Sequence, residues 1–212
     1  EVYILLLNIK RCIIKIYTSF LSKRVAMQTL KEKLFATIDE INERIIEIRH
    51  DLHKHPELSG QEEHTKYLAK GILEAHGYKI KESEEHYGLI ADLIVDESAK
   101  TVAIRADMDA LPIQEKTGKP YASKVDGIMH ACGHDSHTAI ALGAAIAMAT
   151  HKDELPGNIR FIFQPSEESK EGGSVEMIED GALEGVSAIF GLHAYPYLPS
   201  CQICYKYGVM LA

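Results

Sequence analysis

The chain lacks long apolar runs and basic blocks. Its uninterrupted apolar stretches fall far short of the ~20 residues that a membrane-spanning helix needs, so no membrane partner is expected. Aromatic residues make up only 7%, and the formal net charge is −8 at pH 7. No Lys/Arg-rich segment is interleaved with aromatics, which argues against nucleic acid as a partner. Cysteine is sparse: Cys12, Cys132, Cys201 and Cys204 stand at irregular spacing. That pattern does not read as a disulfide framework, and a reducing, cytoplasmic compartment fits it better. Cys201-Gln202-Ile203-Cys204 has metal- or redox-type spacing, but two incidental thiols account for it equally. Gly172-Gly173 lacks the spacing of a phosphate-binding loop. No internal repeat or low-complexity tract is present.

What remains is 212 residues with a normal apolar fraction, enough for one domain with a real core, or one domain and part of another. Composition changes near Met27, so residues 1–26 are expected to be extraneous to the fold, with a basic interfacial helix as the alternative. Residues 27–198 are expected to hold the folded domain, and 199–212 the start of a connection onward. From Leu30 to His53, Leu34, Ile38, Ile41, Ile45, Ile48 and Leu52 recur at helical spacing and predict one long amphipathic helix. His55-Pro56 ends it. A second helix is predicted over Thr65–His76 with Gly77 as its stop, and others over Thr138–Thr150 and Gly172–Asp180. Strands are predicted at Tyr78–Glu82, Leu89–Val95, Thr101–Ala106, Asn158–Gln164 and Val186–Leu192. Strands alternating with helices imply an α/β layered domain with a largely parallel central sheet flanked by helices.

That architecture gives the polar residues a place to meet, because ligands collect beyond the carboxyl ends of strands in open α/β sheets. Asp107 and Asp109 follow one strand, Glu167 and Glu168 another, and His193 a third. His130-Ala131-Cys132-Gly133-His134-Asp135-Ser136-His137 packs one thiol, one carboxylate and three imidazoles into eight residues just before a helix. Cys132 and His134 are two apart, so both side chains can face one cation or each can face one of a pair. Taken alone, Glu167-Glu168 also describes a solvated acidic turn. Beside a cation, one of the two can ligate while the other takes a proton from water. Asp107 and Asp109 are candidates to support metal-ligating histidines from behind. His137 is a candidate for the same layer or for a substrate contact. His50 and His53 share a helix face, but no patterned carboxylate accompanies them.

Together, Arg49-His50-Asp51-Leu52-His53-Lys54-His55-Pro56-Glu57, Ile104 through Pro112, Met129 through His137, Phe163-Gln164-Pro165-Ser166-Glu167-Glu168 and Gly191-Leu192-His193 resemble the metal-dependent amidohydrolases of the M20 peptidase family. The similarity is to its branch of hippurate, N-acyl-amino-acid and auxin-conjugate hydrolases. It implies Cys132, His134, Glu168 and His193 as metal ligands and Glu167 as general base. It implies two divalent cations, zinc or manganese first, cobalt or nickel next. It further implies hydrolysis of the amide bond of small N-acyl amino acids by a metal-activated water, and a homodimer or higher oligomer for the full-length form. The alternative is an inactive fragment or a metal-binding module without catalysis. Family members continue through a lid domain and a later metal-ligating histidine. The segment Ser169-Lys170-Glu171-Gly172-Gly173 is poorer in glycine than the family pattern, and Cys201 stands where glycine is expected. The chain is therefore expected to be an N-terminal fragment, truncated before the lid and inactive alone.

Overall fold

The computed structural model describes residues 24–170, 172–199 and 202–205. Of residues 1–26, expected to be extraneous to the fold, 1–23 lie outside the described residues, as does Cys201, while residues 24–26 open the first helix. The single helix expected from Leu30 to His53 is divided at Ile41 into α1 (Arg24–Glu40) and α2 (Asn42–Lys54). Ile41 lies at φ −93°, ψ 6°. Its amide still bonds Thr37 O at 3.0 Å, and Ile45 N bonds its carbonyl at 3.1 Å, so the rod bends without unwinding. Leu30, Leu34 and Ile38 before the bend and Ile45, Ile48 and Leu52 after it all join one core. Helix α3 (Glu63–Ala75) follows. The chain leaves it through Gly77 at φ +77°, a left-handed conformation that glycine adopts without steric cost.

Five strands form one sheet: β1 (Lys79–Glu82), β2 (Leu89–Leu93), β3 (Thr101–Asp107), β4 (Asn158–Gln164) and β5 (Val186–Gly191), in the order β1-β2-β4-β3-β5. The parallel part is β4-β3-β5. Strand β2 runs antiparallel to both β1 and β4, so the sheet as a whole is mixed. The link between β1 and β2 is short, as an antiparallel pair permits; the parallel pair β3 and β4 needs a crossover, and helix α4 (His134–Thr150) supplies it. Nearly every α4 residue from His134 to Met148 is buried, as expected of a helix apolar on all sides. A Cβ on Gly143 would lie 2.5 Å from Ile45 Cδ1, so any side chain there would displace the end of Ile45 where α2 packs on α4.

The sheet is covered on both faces. Leu89, Ala91, Leu93, Ile159, Phe161 and Phe163 pack with α1 to α4. Ile90, Ala103 and Ile162 point the other way, toward Met177 of the short helix α5 (Ser174–Glu179) and Ala182. Among the described residues, no helix is long and apolar enough to cross a membrane. Because β3, β4 and β5 are parallel, Asp107, Gln164 and Gly191 end at one edge, and that edge carries the candidate chemistry.

Candidate metal centre

Helix α4 starts at His134, four residues earlier than its apolar pattern predicts, with Gly133 ahead of it at φ +91°. The start is polar because its side chains belong to the site. His134 and His137 occupy the helix's first turn, three residues apart on one face. Their ring centroids are 5.4 Å apart.

His134 is the hub. Its ring is completely buried. Nδ1 lies 3.1 Å from Asp109 Oδ1, which makes Nδ1 the protonated nitrogen and leaves the lone pair on Nε2. Nε2 is buried without a hydrogen-bond partner. Around it stand Glu168 Oε1 at 3.7 Å, Glu167 Oε2 at 3.8 Å and Asp107 Oδ2 at 3.7 Å. His193 is set the same way: Nδ1 is 2.7 Å from the Ala194 carbonyl, and Nε2 is 3.4 Å from Cys132 Sγ. Three overlapping groups each bring their donor atoms within 4.8 Å of one another: Cys132 with His134 and His193, His134 with Glu167 and Glu168, and Asp107 with His134 and His137.

The structure thus brings together all eight sequence candidates. Glu167 and Glu168 both approach His134 Nε2, and the residue before them, Ser166, has φ +55°. Asp109 stands behind His134 and also accepts Ser59 Oγ at 2.6 Å and the Glu168 amide at 2.9 Å. Asp107 holds His137 Nδ1 at 2.6 Å and Arg105 Nη1 at 2.5 Å. His137 Nε2 in turn accepts the Ala194 amide at 2.8 Å, so both its nitrogens are engaged and it fixes the backbone beside His193.

The electrostatics suit a cation. Burial, with Glu168, Glu167 and Asp107 beside it, pushes the Cys132 thiol up to about 12. Burial also works against charge on Asp107, but the His137 hydrogen bond, the two histidines and Arg105 outweigh it and hold its carboxyl below the ordinary range. Burial opposes a proton on His134, yet Asp109, Asp107 and Glu167 raise its affinity above the ordinary value. A thiol and an imidazole nitrogen without a hydrogen-bond partner stand among several carboxylates. A divalent cation reverses the sign of that environment and makes the thiolate accessible. The donor types present fit such a group.

The roles of several other residues of this region emerge only in the structure. Glu62 is fully buried just before α3, and its Oε1 accepts the Ser166 amide at 2.7 Å and the Gly60 amide at 3.1 Å. His53 lies apart from the donor cluster: Nδ1 contacts Asp135 Oδ2 at 2.7 Å and Nε2 contacts Glu115 Oε1 at 3.3 Å. Arg49 Nε is 2.8 Å from the same Asp135 oxygen. His50 stacks on Tyr121, with centroids 4.0 Å apart. The His50/His53 pair is therefore structural. His130 is buried with neither nitrogen bonded, and burial is the main reason its proton affinity is held down to about 4. Cys204 is a free, exposed thiol.

Residues 103–206 match the model of the peptidase family M20/M25/M40. The chain is 49% identical over 170 residues to an N-acetylcysteine deacetylase of Bacillus subtilis, an alignment covering 80% of this chain and 44% of the relative. It is 42% identical over 182 residues to an N-acyl-L-amino acid amidohydrolase of Geobacillus stearothermophilus, covering 86% and 49%. The crystal structure of the Bacillus subtilis YXEP protein, described as a dinuclear metal binding peptidase from the M20 family, superposes with a TM-score of 0.69 at 50% identity, over 74% of this chain and 44% of that one. The chain spans somewhat under half the length of the curated relatives it matches. Over the length it shares with them, the chain is similar to peptidase family M20/M25/M40.

Proposed function

We propose that this chain carries the greater part of a two-metal centre for hydrolysing the amide bond of small N-acyl amino acids. The observation that carries the reading is His134 Nε2, an unpaired buried nitrogen with two glutamates and an aspartate within 4 Å. Cys132, His134, Glu168 and His193 would hold the cations. Thiolate, imidazole and carboxylate donors together favour zinc, with manganese, cobalt or nickel as substitutes. Bound there, the metal supplies Lewis-acid charge and lowers the pKa of water toward neutrality.

The chain's own groups divide the remaining work. Glu167 is the more exposed of the paired glutamates and is the proposed general base. Its carboxylate takes the proton of the attacking water and returns it to the leaving amine nitrogen. Asp109 and the Ala194 carbonyl keep the Nδ1 protons of His134 and His193 in place, so Nε2 remains the donor atom of each ring. Two of the relatives are named for removing acyl groups from amino acids, which supports this substrate class.

The test is made on the gene's full product. Metal content is measured after dialysis, and hydrolysis of acetyl- and benzoyl-amino acids is followed in wild type, Glu167→Gln and Glu168→Gln. Glu167→Gln should keep its metal and lose turnover by ~10²–10⁴-fold. Glu168→Gln should lose metal. Full metal occupancy with no hydrolysis in wild type would instead indicate a metal-binding module; the opposite pattern in the two variants would exchange their roles.

A further inference from the structure

A second group of donors lies apart from the centre, where α2 ends and α3 begins. Asp51 is in the last turn of α2, His55 follows that helix directly, and His64 is in the first turn of α3. One ring nitrogen of each histidine and one carboxylate oxygen of Asp51 lie within 4.8 Å of one another. The carboxylate already bridges the rings: Asp51 Oδ2 is 2.9 Å from His64 Nε2, and Asp51 Oδ1 is 3.3 Å from His55 Nδ1. The two rings meet edge to face with centroids 5.3 Å apart. We propose that Asp51, His55 and His64 form a separate site for one divalent transition-metal ion.

The elements that present these donors are fixed. The His64 amide donates to Glu57 Oε1 at 2.7 Å, and the Thr65 amide and hydroxyl donate to Glu57 Oε2 at 3.0 and 2.9 Å. His55 N bonds Asp51 O at 3.2 Å, and His55 Nδ1 lies 2.9 Å from the same carbonyl, which ties that residue to the helix end. Two donors at about 2.0–2.2 Å from one zinc ion lie at most about 4.4 Å apart, and the Asp51–His64 and Asp51–His55 separations are within that reach. Two imidazoles and one carboxylate match zinc, nickel or copper rather than calcium or magnesium, which prefer all-oxygen sets. The three side chains are each about 40% exposed, so an ion enters from solvent and water completes its shell. None of the three residues belongs to the proposed catalytic centre, so the site stands or falls independently of it.

An ion here would clamp α2 to α3 across residues 55–63. That connection sends Ser59 to Asp109 and Glu62 to Ser166. Occupancy would thus stiffen the arm that braces the catalytic edge without adding a ligand to it.

The probe is Zn²⁺ added to this chain, followed by zinc counting after equilibrium dialysis and by NMR of histidine ring nitrogens. The variants are Asp51→Asn, His64→Ala and His64→Glu, all with exposed side chains whose folding is checked by circular dichroism. In wild type, the His55 and His64 rings should shift together on zinc binding. Asp51→Asn and His64→Ala should each bind one ion fewer per chain, while the zinc-induced shifts of His134 and His193 persist. His64→Glu, which restores a third donor, should regain the ion. Equal zinc counts in wild type and both donor-loss variants would overturn the proposal. So would unmoved His55 and His64 signals once the remaining sites are saturated, a result that wild type alone can give.

Discussion

At the scale of single residues, the centre is built by pairing each donor with a partner that fixes it. Asp109 orients His134, Ala194 orients His193, and Asp107 orients His137. Glu62 does comparable work from further away. Its Oε1 takes the amides of Ser166 and Gly60, and Ser166, directly before the glutamate pair, has a left-handed backbone. Such a conformation costs on the order of 1–3 kcal/mol and persists only where its surroundings impose it. Glu62 Oε2 has no partner, and burial raises the proton affinity of this carboxyl above its ordinary value, although the amide hydrogen bonds oppose the shift. An acid whose pKa is raised by folding binds more protons folded than unfolded. Its contribution is fully present below the unfolded value of 4.5 and fades as pH rises through the folded one. Glu62→Gln keeps an acceptor for both amides and removes the buried charge. Its stability relative to wild type should therefore improve in urea melts as pH rises above 4.5 and level off above the folded-state value, whereas Glu62→Ala should be less stable than Glu62→Gln throughout. A pH-independent difference between wild type and Glu62→Gln would remove the buried-charge argument. The donors themselves were legible because Cys, His and paired Glu stand beside apolar runs. The roles of Glu62 and of the Arg49–Asp135–His53 group were not, since the contacts from His53 to Asp135 and from Ser166 to Glu62 span 82 and 104 residues.

At the scale of elements, the strands were legible almost to the residue. Asn158–Gln164 was read with its observed bounds, and β4 is central and buried along nearly its whole length. Two boundaries escaped. Helix α4 was read too short because its first turn is spent on chemistry, and the first helix was read as unbroken because the bend at Ile41 leaves the apolar spacing intact. The reversed direction of β2 was also hidden, since strand direction depends on pairing across the sheet. One side chain fastens the turn between β2 and β3. Asn158 Oδ1 accepts the amides of Val95 and Asp96 at 2.7 and 3.1 Å, while Nδ2 donates to the carbonyls of Asp96 and Ala99 at 2.8 and 3.1 Å. No residue but Asn offers that mix of donor and acceptor at this length. Asn158→Ala should cost about 2–3 kcal/mol in chemical denaturation, because several backbone groups lose a partner worth about 1 kcal/mol each. Asn158→Asp should cost more, since it sets a carboxylate against two carbonyl oxygens. An Asp variant as stable as wild type would show that solvent replaces these bonds.

At the scale of the whole molecule, the sheet is unevenly protected. Strand β4 has neighbours on both sides, and its register with β2 and β3 is regular over its length. Strand β5 is different: among the described residues it pairs with β3 alone, and its residues alternate between half-buried and exposed. Ile189 on that strand is 48% exposed, and Val175 and Ile178 of α5 and Leu183 are exposed as well. An open strand edge with apolar side chains is a template for pairing with another chain. The relatives of known sequence are more than twice as long as the stretch they share with this chain. The isolated 212-residue polypeptide should therefore self-associate reversibly in the micromolar range. Sedimentation velocity across a dilution series should show mass falling with concentration. Ile189→Lys, which places a charge on the edge without touching the buried core, should shift that series toward monomer while leaving the circular dichroism spectrum unchanged. A wild-type chain that remains monomeric throughout, or an Ile189→Lys variant that associates as strongly as wild type, would show that β5 is not the surface through which copies meet.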